Sequence, residues 1–244
     1  MWTLTRVTLS SPPFVSRPLH VSRTRHTLRT TSHASTPSAA SSEMATDWES
    51  MWHGNGTTLQ PGQAFDANQC EPSFVALIAS GVLPTGRALV PGCGRGYAVA
   101  ALACDDRHVL GLEISDTAKK EADVLLAKSP NAKHAEVQVA DFFQHQPAEL
   151  YDLAFDNTFL CAIPPARRTE WAAKYASIIK QGGELVSNVF PIGPFRGGPP
   201  FALSPEIVKD LLELVGFQVV SLTETPATQW ARGRPEFLYR FRRV

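Results

Sequence analysis

Leu89-Val90-Pro91-Gly92-Cys93-Gly94-Arg95-Gly96-Tyr97 joins a short apolar run to an Ala-rich segment through three glycines at alternate positions. Residues in this order describe a strand, a tight turn and the N-terminus of a helix. Glycine suits a turn of positive φ and a backbone that must lie close to a ligand. A second apolar run, Val109-Leu110-Gly111-Leu112, ends in Glu113, about 20 residues after Gly92. That spacing puts a carboxylate at the tip of the neighbouring strand, in reach of a ribose hydroxyl pair. Together the two features point to a nucleoside-containing cofactor.

Outward from this loop, strands are predicted at Ala88–Val90, Val109–Glu113, Glu136–Val139, Leu153–Asp156, Glu184–Val189, Gln218–Leu222 and Phe237–Phe241. They alternate with helices at Tyr97–Ala103, Thr117–Lys128, Arg168–Ile179 and Pro205–Val215. Upstream, Trp48 and Trp52 lie four apart on one face of a short helix, and Pro72–Ala79 reads as another. The expected fold is α/β, a Rossmann-like, mostly parallel sheet of seven strands with helices on both faces. Ligands bind outside the carboxyl ends of such strands. Gly92, Glu113, Asp141 and Asp156 all fall at such ends.

With 244 residues, 43% of them apolar, the chain can bury one sizeable core. No apolar run approaches the roughly 20 residues that span a bilayer. The four cysteines, Cys70, Cys93, Cys104 and Cys161, form no C-x-x-C, and the seven histidines are scattered, so no metal site is expected. Charge is uneven. Residues 1–42 hold Arg6, Arg17, Arg23, Arg25 and Arg29 without Lys, Asp or Glu, which leaves residues 43–244 at −5. Nothing in that acidic remainder has a nucleic-acid footprint. An Arg- and Ser-rich, acid-free leader has the composition of an organellar transit peptide, with a disordered tail as the alternative. The expected division is residues 1–46 as transit peptide or tail and 47–244 as the functional domain. The expected location is chloroplast or mitochondrion, or cytoplasm if translation starts at Met44.

The dinucleotide fingerprint requires G-x-G-x-x-G, but Tyr97 stands where its third glycine should be. The actual G-x-G-x-G resembles the first motif of the class I S-adenosylmethionine-dependent methyltransferases. Three further strings narrow the resemblance: Trp48-Glu-Ser-Met-Trp52, Phe155-Asp-Asn-Thr-Phe-Leu-Cys-Ala-Ile163 and Phe190-Pro-Ile-Gly-Pro-Phe-Arg-Gly-Gly-Pro-Pro-Phe201. With Leu89-Val-Pro-Gly-Cys-Gly94 they are similar to the plant and fungal thiol/halide methyltransferases of the thiopurine S-methyltransferase group, from about Asp47 to the C-terminus. The resemblance implies S-adenosylmethionine as cofactor. It places Trp48, Trp52 and Phe65 over the cofactor, Gly92 and Gly94 at its amino-acid part and Glu113 at the ribose. It places Asp141 and Phe142 at the adenine and Asn157 beside the cofactor. For Asp141 a turn cap is the alternative. Two departures leave substrate preference open: Phe65 stands for the family's usual Trp in Thr-Pro-Trp-Asp, and Phe190 for a Tyr of plant members.

The implied reaction is in-line methyl transfer to a small soft nucleophile such as bisulfide, a thiol, thiocyanate or a halide, with no metal and no strong base. Phe159, Cys161, Phe190, Pro191 and Arg196 are the pocket candidates, and none is expected to be catalytic beyond positioning. A larger aromatic thiol such as a thiopurine is an alternative acceptor. A nicotinamide oxidoreductase and a non-catalytic nucleoside binder are the alternatives from other classes. The expected partner is a small molecule or anion, with no nucleic acid or membrane, and the expected form is a monomer.

Overall fold

The apolar runs become one sheet. β1 (Gly86–Pro91), β2 (Arg107–Glu113), β3 (Ala135–Val139), β4 (Tyr151–Asn157), β5 (Ile179–Val189), β6 (Phe217–Glu224) and β7 (Phe237–Arg243) lie in the order β3-β2-β1-β4-β5-β7-β6. β1 to β5 are parallel and β7 is antiparallel to both of its neighbours. The computed structural model describes residues 46–54 and 56–244. The predicted leader and Met44 lie outside the described residues.

The crossovers are α3 (Tyr97–Leu102), α4 (Asp116–Leu126), α5 (Arg168–Ile178) and α6 (Pro205–Glu213), with α1 (Trp48–His53) and α2 (Pro72–Ala79) ahead of the sheet. Serines start two of them: Ser115 Oγ accepts from the Ala118 amide at α4 and Ser204 Oγ from the Ile207 amide at α6. β3 passes to β4 with no intervening helix.

Each face of the sheet buries its own apolar set. Leu89, Leu112, Trp171, Tyr175, Leu185 and Phe241 pack on the α5–α6 side. Phe74, Val90, Val99, Leu102, Phe155 and Val186 pack on the α2–α4 side. This is the expected α/β sheet with helices on both faces.

Most boundaries shift by one or two residues, and the largest shift is at the start of β5. β5 begins at Ile179, not Glu184, because Lys180–Gly183 does not leave the sheet. Tyr151 pairs with Ile179 and Leu153 with Glu184, so the glycine pair is absorbed as an irregularity in the strand. Glycines without side chains to pack read as a turn in sequence, yet a bulge uses them equally well.

Strand order reverses between β1 and β4. The loops after β1, β2 and β4 therefore open on the same crevice at the carboxyl end of the sheet, where open α/β sheets bind ligands.

Candidate active site

The glycine loop leaves β1 with φ of +57° at Gly92, +53° at Gly94 and +82° at Gly96. A Cβ on Gly92 would stand 2.6 Å from Phe159 Cδ2, and one on Gly94 3.1 Å from Trp52 Cζ2. The backbone thus passes directly beneath two aromatic rings, and a larger residue has no room. Gly96 caps the start of α3, and a Cβ there would lie 3.3 Å from Ala122 of α4. It provides the close packing that the dinucleotide motif assigns to a glycine one position later, which is why Tyr97 is tolerated.

Glu113 ends β2 with 6% of its surface exposed. Its Oε2 accepts from the Gly94 amide at 2.8 Å, and its Oε1 from the amides of Ile114 at 2.8 Å and Ser115 at 3.1 Å. Burial pushes the carboxyl above its ordinary pKa, against the three amide donors that oppose the shift. A carboxylate has about four lone-pair positions. Three are used here, so Glu113 can accept one further hydrogen bond on Oε2, not the pair that both ribose hydroxyls would bring.

Asp141 follows β3. Its Oδ1 accepts from the Phe143 amide at 2.8 Å, the turn cap that was its alternative reading, and its Oδ2 has no partner among the described residues. Phe142 is 3% exposed, with its ring in edge contact with Phe159 at 5.1 Å and Phe143 at 5.4 Å. The structure places it in the core beneath Phe159 rather than facing open space. Asn157, at the tip of β4, is half-buried and accepts from Asn188 Nδ2 at 3.2 Å.

The predicted N-terminal aromatics meet. Phe65 packs edge-on against Trp48 at 5.8 Å and Trp52 at 5.3 Å, and Trp52 is 4% exposed over Gly94. Asp47 caps α1 by accepting from the Ser50 amide. Residues 47–54 and 56–66 thereby form a cap on the glycine loop.

A cleft of about 330 Å³ opens beyond β5, lined by Phe190, Pro191, Phe195, Arg196, the Gly197–Pro200 turn and Arg234. The Phe201 amide donates to the Cys161 carbonyl at 2.7 Å, and the Leu203 amide to Pro191 at 3.0 Å, which fixes the loop. Phe190, Pro191 and Arg196 are brought together as expected, whereas Phe159 and Cys161 are not in the cleft. Phe159 lies over Gly92. Cys161 is core, with its thiol donating to the Thr158 carbonyl at 3.1 Å and pushed up to about 12 by burial. Such a thiol stays protonated at neutral pH.

Arg234 was not anticipated, because no spacing rule links a residue just before β7 to the turn after β5. Arg232 was missed for the same reason. It pairs with the buried Glu71 at 2.7 Å, and its guanidinium carbon lies 5.5 Å from the centre of the Phe190 ring.

Asp156 anchors the middle of the site from below. It accepts from the Leu160 amide, from Trp171 Nε1 at 2.7 Å and from Tyr175 OH at 3.1 Å, and burial pushes it up to about 6.

These groups fit S-adenosylmethionine. The glycine loop presents backbone without side chains, Glu113 Oε2 keeps an acceptor position beside the Gly94 amide, Asp141 Oδ2 has no partner among the described residues, and the indole of Trp52 roofs the loop. The comparisons agree. The family model for thiopurine S-methyltransferase matches residues 44–235. The chain is 39% identical over 196 residues to a probable thiol methyltransferase 2 of Arabidopsis thaliana, covering 80% of this chain and 84% of that one. It is 39% identical over 197 residues to thiocyanate methyltransferase 1 of Brassica oleracea, covering 81% and 84%. A solved magnesium protoporphyrin IX methyltransferase from Synechocystis with bound S-adenosylmethionine shares the fold at a TM-score of 0.57 and 20% identity, covering 70% of this chain and 77% of that one.

Proposed function

Because the chain belongs to the thiopurine S-methyltransferase family, and is therefore an S-adenosylmethionine-dependent methyltransferase, we propose that its acceptor is a small soft anion: bisulfide, a thiolate, thiocyanate or a halide. The observation that carries this reading is the cleft. It presents two arginines, Arg196 and Arg234, beside the apolar Phe190, Pro191 and Phe195, and no carboxylate lines it. Such walls attract an anion and strip its water, and they offer no base for an alcohol or amine.

Bound S-adenosylmethionine supplies an electrophilic methyl group on a sulfonium centre. Glu113 would hold the ribose, and Asp141, through its unpartnered Oδ2, would accept from the adenine amino group. Phe142, buried in edge contact with Phe159, would lie on the adenine side. Trp48, Trp52 and Phe65 cover the cofactor, and an aromatic face stabilises a cation by roughly 0.5–2 kcal/mol. Gly92 and Gly94 let the backbone approach the amino-acid part, and Asn157 borders it. Arg196 and Arg234 draw the acceptor in, and Phe190 and Pro191 exclude water. A nucleophile that is already anionic needs positioning rather than proton transfer, and positioning supplies about 7–11 kcal/mol in favourable cases. Cys161 keeps its proton and takes no part.

A panel with labelled cofactor tests this against iodide, thiocyanate, bisulfide, an aryl thiol, a thiopurine, an alcohol and an amine. Rates on thiols should rise with pH until the thiol ionises, while the iodide rate stays flat. An alcohol or amine as best acceptor sinks the reading. A second reading, a larger aromatic thiol such as a thiopurine, is favoured by size, since 330 Å³ is about ten times the volume of one water.

The leader composition supports import into a chloroplast or mitochondrion. Deleting residues 1–43 should leave melting temperature and turnover unchanged and abolish organellar targeting of a fluorescent fusion. Unchanged targeting refutes the transit peptide.

A further inference from the structure

We propose that Arg95 is a positioning residue for the cofactor: it latches the 47–66 cap onto the glycine loop and so governs how long the cofactor stays bound, without touching it. Arg95 lies between Gly94 and Gly96, yet its guanidinium is turned into the protein. Nε donates to Asp66 Oδ2 at 2.8 Å, Nη2 to the Leu59 carbonyl at 2.5 Å, and Nη1 pairs with Glu121 of α4. The Arg95 and Asp66 side chains are 6% and 1% exposed. The guanidinium carbon also lies 5.4 Å from the centre of the Trp52 ring, the ring that roofs Gly94. One side chain therefore ties two points of the cap, its indole and α4 to the loop.

The cap is closed on itself, since the Leu59 amide donates to the Trp52 carbonyl at 2.8 Å. It is pinned a second time by Glu49 of α1. Glu49 accepts from Ser115 Oγ and Thr117 Oγ1 at 2.5 Å each and from the Thr117 amide at 3.2 Å, at the start of α4. Ser115 in turn donates its own amide to Glu113. Both anchors thus stand next to cofactor groups in sequence while spending their polar atoms on the cap.

Lifting Trp52 off Gly94 would strain or break the Arg95–Asp66 and Arg95–Leu59 bonds, which strips the buried guanidinium of two of its three partners and leaves the buried Asp66 Oδ2 without its countercharge. Opening of a lid commonly limits ligand release. The latch should therefore appear in the dissociation rate of the cofactor and not in the handling of the acceptor, whose cleft lies beyond β5. This inference rests on the cofactor alone, so its test does not depend on which acceptor is used.

The test uses the full chain with Arg95→Met, Arg95→Lys and Glu49→Gln. Dissociation of S-adenosylhomocysteine is followed by tryptophan fluorescence in stopped flow, and hydrogen exchange of residues 47–66 is measured without ligand. Arg95→Met is expected to speed dissociation by about 10-fold or more. It should raise exchange throughout the cap and raise KM for S-adenosylmethionine, with kcat at saturating cofactor and KM for acceptor within about twofold. Arg95→Lys, which keeps the charge and loses the fork, should recover part of the loss. Glu49→Gln, on the surface, should act in the same direction by about two- to fivefold with melting unchanged. An unchanged dissociation rate in folded Arg95→Met overturns the proposal, as does a defect confined to kcat. If Arg95→Met fails to fold, unchanged dissociation in both Arg95→Lys and Glu49→Gln overturns it.

Discussion

Over β1, β2 and β3 the carboxyl end of the sheet is closed by groups bonded to one another, whereas over β5 and β7 it is an open cleft between a loop and two arginines. At the first region Glu113 is held by three backbone amides and Arg95 by three partners, under an indole that is 4% exposed. At the second, Phe195 is 40% exposed, and Arg196 and Arg234 are exposed and without salt-bridge partners among the described residues. On the proposed assignment the contrast corresponds to two tasks. A cofactor common to many acceptors is best held by backbone geometry, which side-chain variation does not disturb. Acceptor choice is best left to loop side chains that can change without disturbing the sheet.

Substitutions that break the closed region should cost most. Gly92→Val forces a β-branched side chain to φ +57° and against Phe159. Strain and overpacking together should weaken S-adenosylhomocysteine binding on the order of 100-fold, read by calorimetry. An affinity within a few-fold of the parent would show that the ligand does not use this loop. Glu113→Ala comes next, with about 1.5–3 kcal/mol lost from cofactor binding as a charge-assisted hydrogen bond disappears. Equal affinities in the two proteins refute the ribose contact.

Asp156 marks the boundary between the regions, and its effect is on stability. Its pKa is raised to about 6 by burial, above the ordinary value of about 3.9. The folded state therefore binds the proton more tightly than the unfolded one. The stabilisation is present below about pH 4 and is lost as pH rises through about 6, a change on the order of 2–3 kcal/mol. Asp156→Asn should remove this slope, so melting curves at pH 4, 5, 6 and 8 should show the parent losing ground relative to the variant. Parallel curves would mean that Asp156 does not titrate in that window.

The smallest effect belongs to the open cleft. Arg196→Gln and Arg234→Gln should each raise KM for thiocyanate by a few-fold at low salt, because an exposed charge contributes about 0.2–1 kcal/mol. Affinity for S-adenosylhomocysteine should not change. A cofactor defect in either variant would erase the distinction between the two regions.

Most of the fold was legible because its signals are local. Each strand is an apolar run, Ser204-Pro205 starts α6 as a cap and N1 pair, and glycines mark the turn after β1. The positions of Gly92, Glu113, Asp141 and Asn157 were legible for the same reason, since each sits at or just beyond the end of a strand readable by itself. Phe159 and Cys161 lie outside the cleft because sequence position after a strand does not say which way a side chain turns. Cys161 belongs to a 3-10 turn, Leu160–Ala162, that points it into the core. The Ile179–Gly183 segment was misread because a bulge and a turn have the same composition.

The sequence by itself determined the α/β class, the glycine loop and the carboxylate at the end of β2, because period, spacing and residue type within about 20 residues carry all three, whereas the aromatic cap was implied by the family resemblance. Only the tertiary structure decided that Gly96 takes over the packing of a missing third glycine, that Glu113 has one acceptor position left, that Arg95 faces the cap, and that Arg234 lines one cleft with Arg196. Each of these depends on residues far apart in the chain being brought within bonding distance. Asp66 and Arg95 are 29 positions apart and 2.8 Å from each other, and no local pattern encodes such a pair.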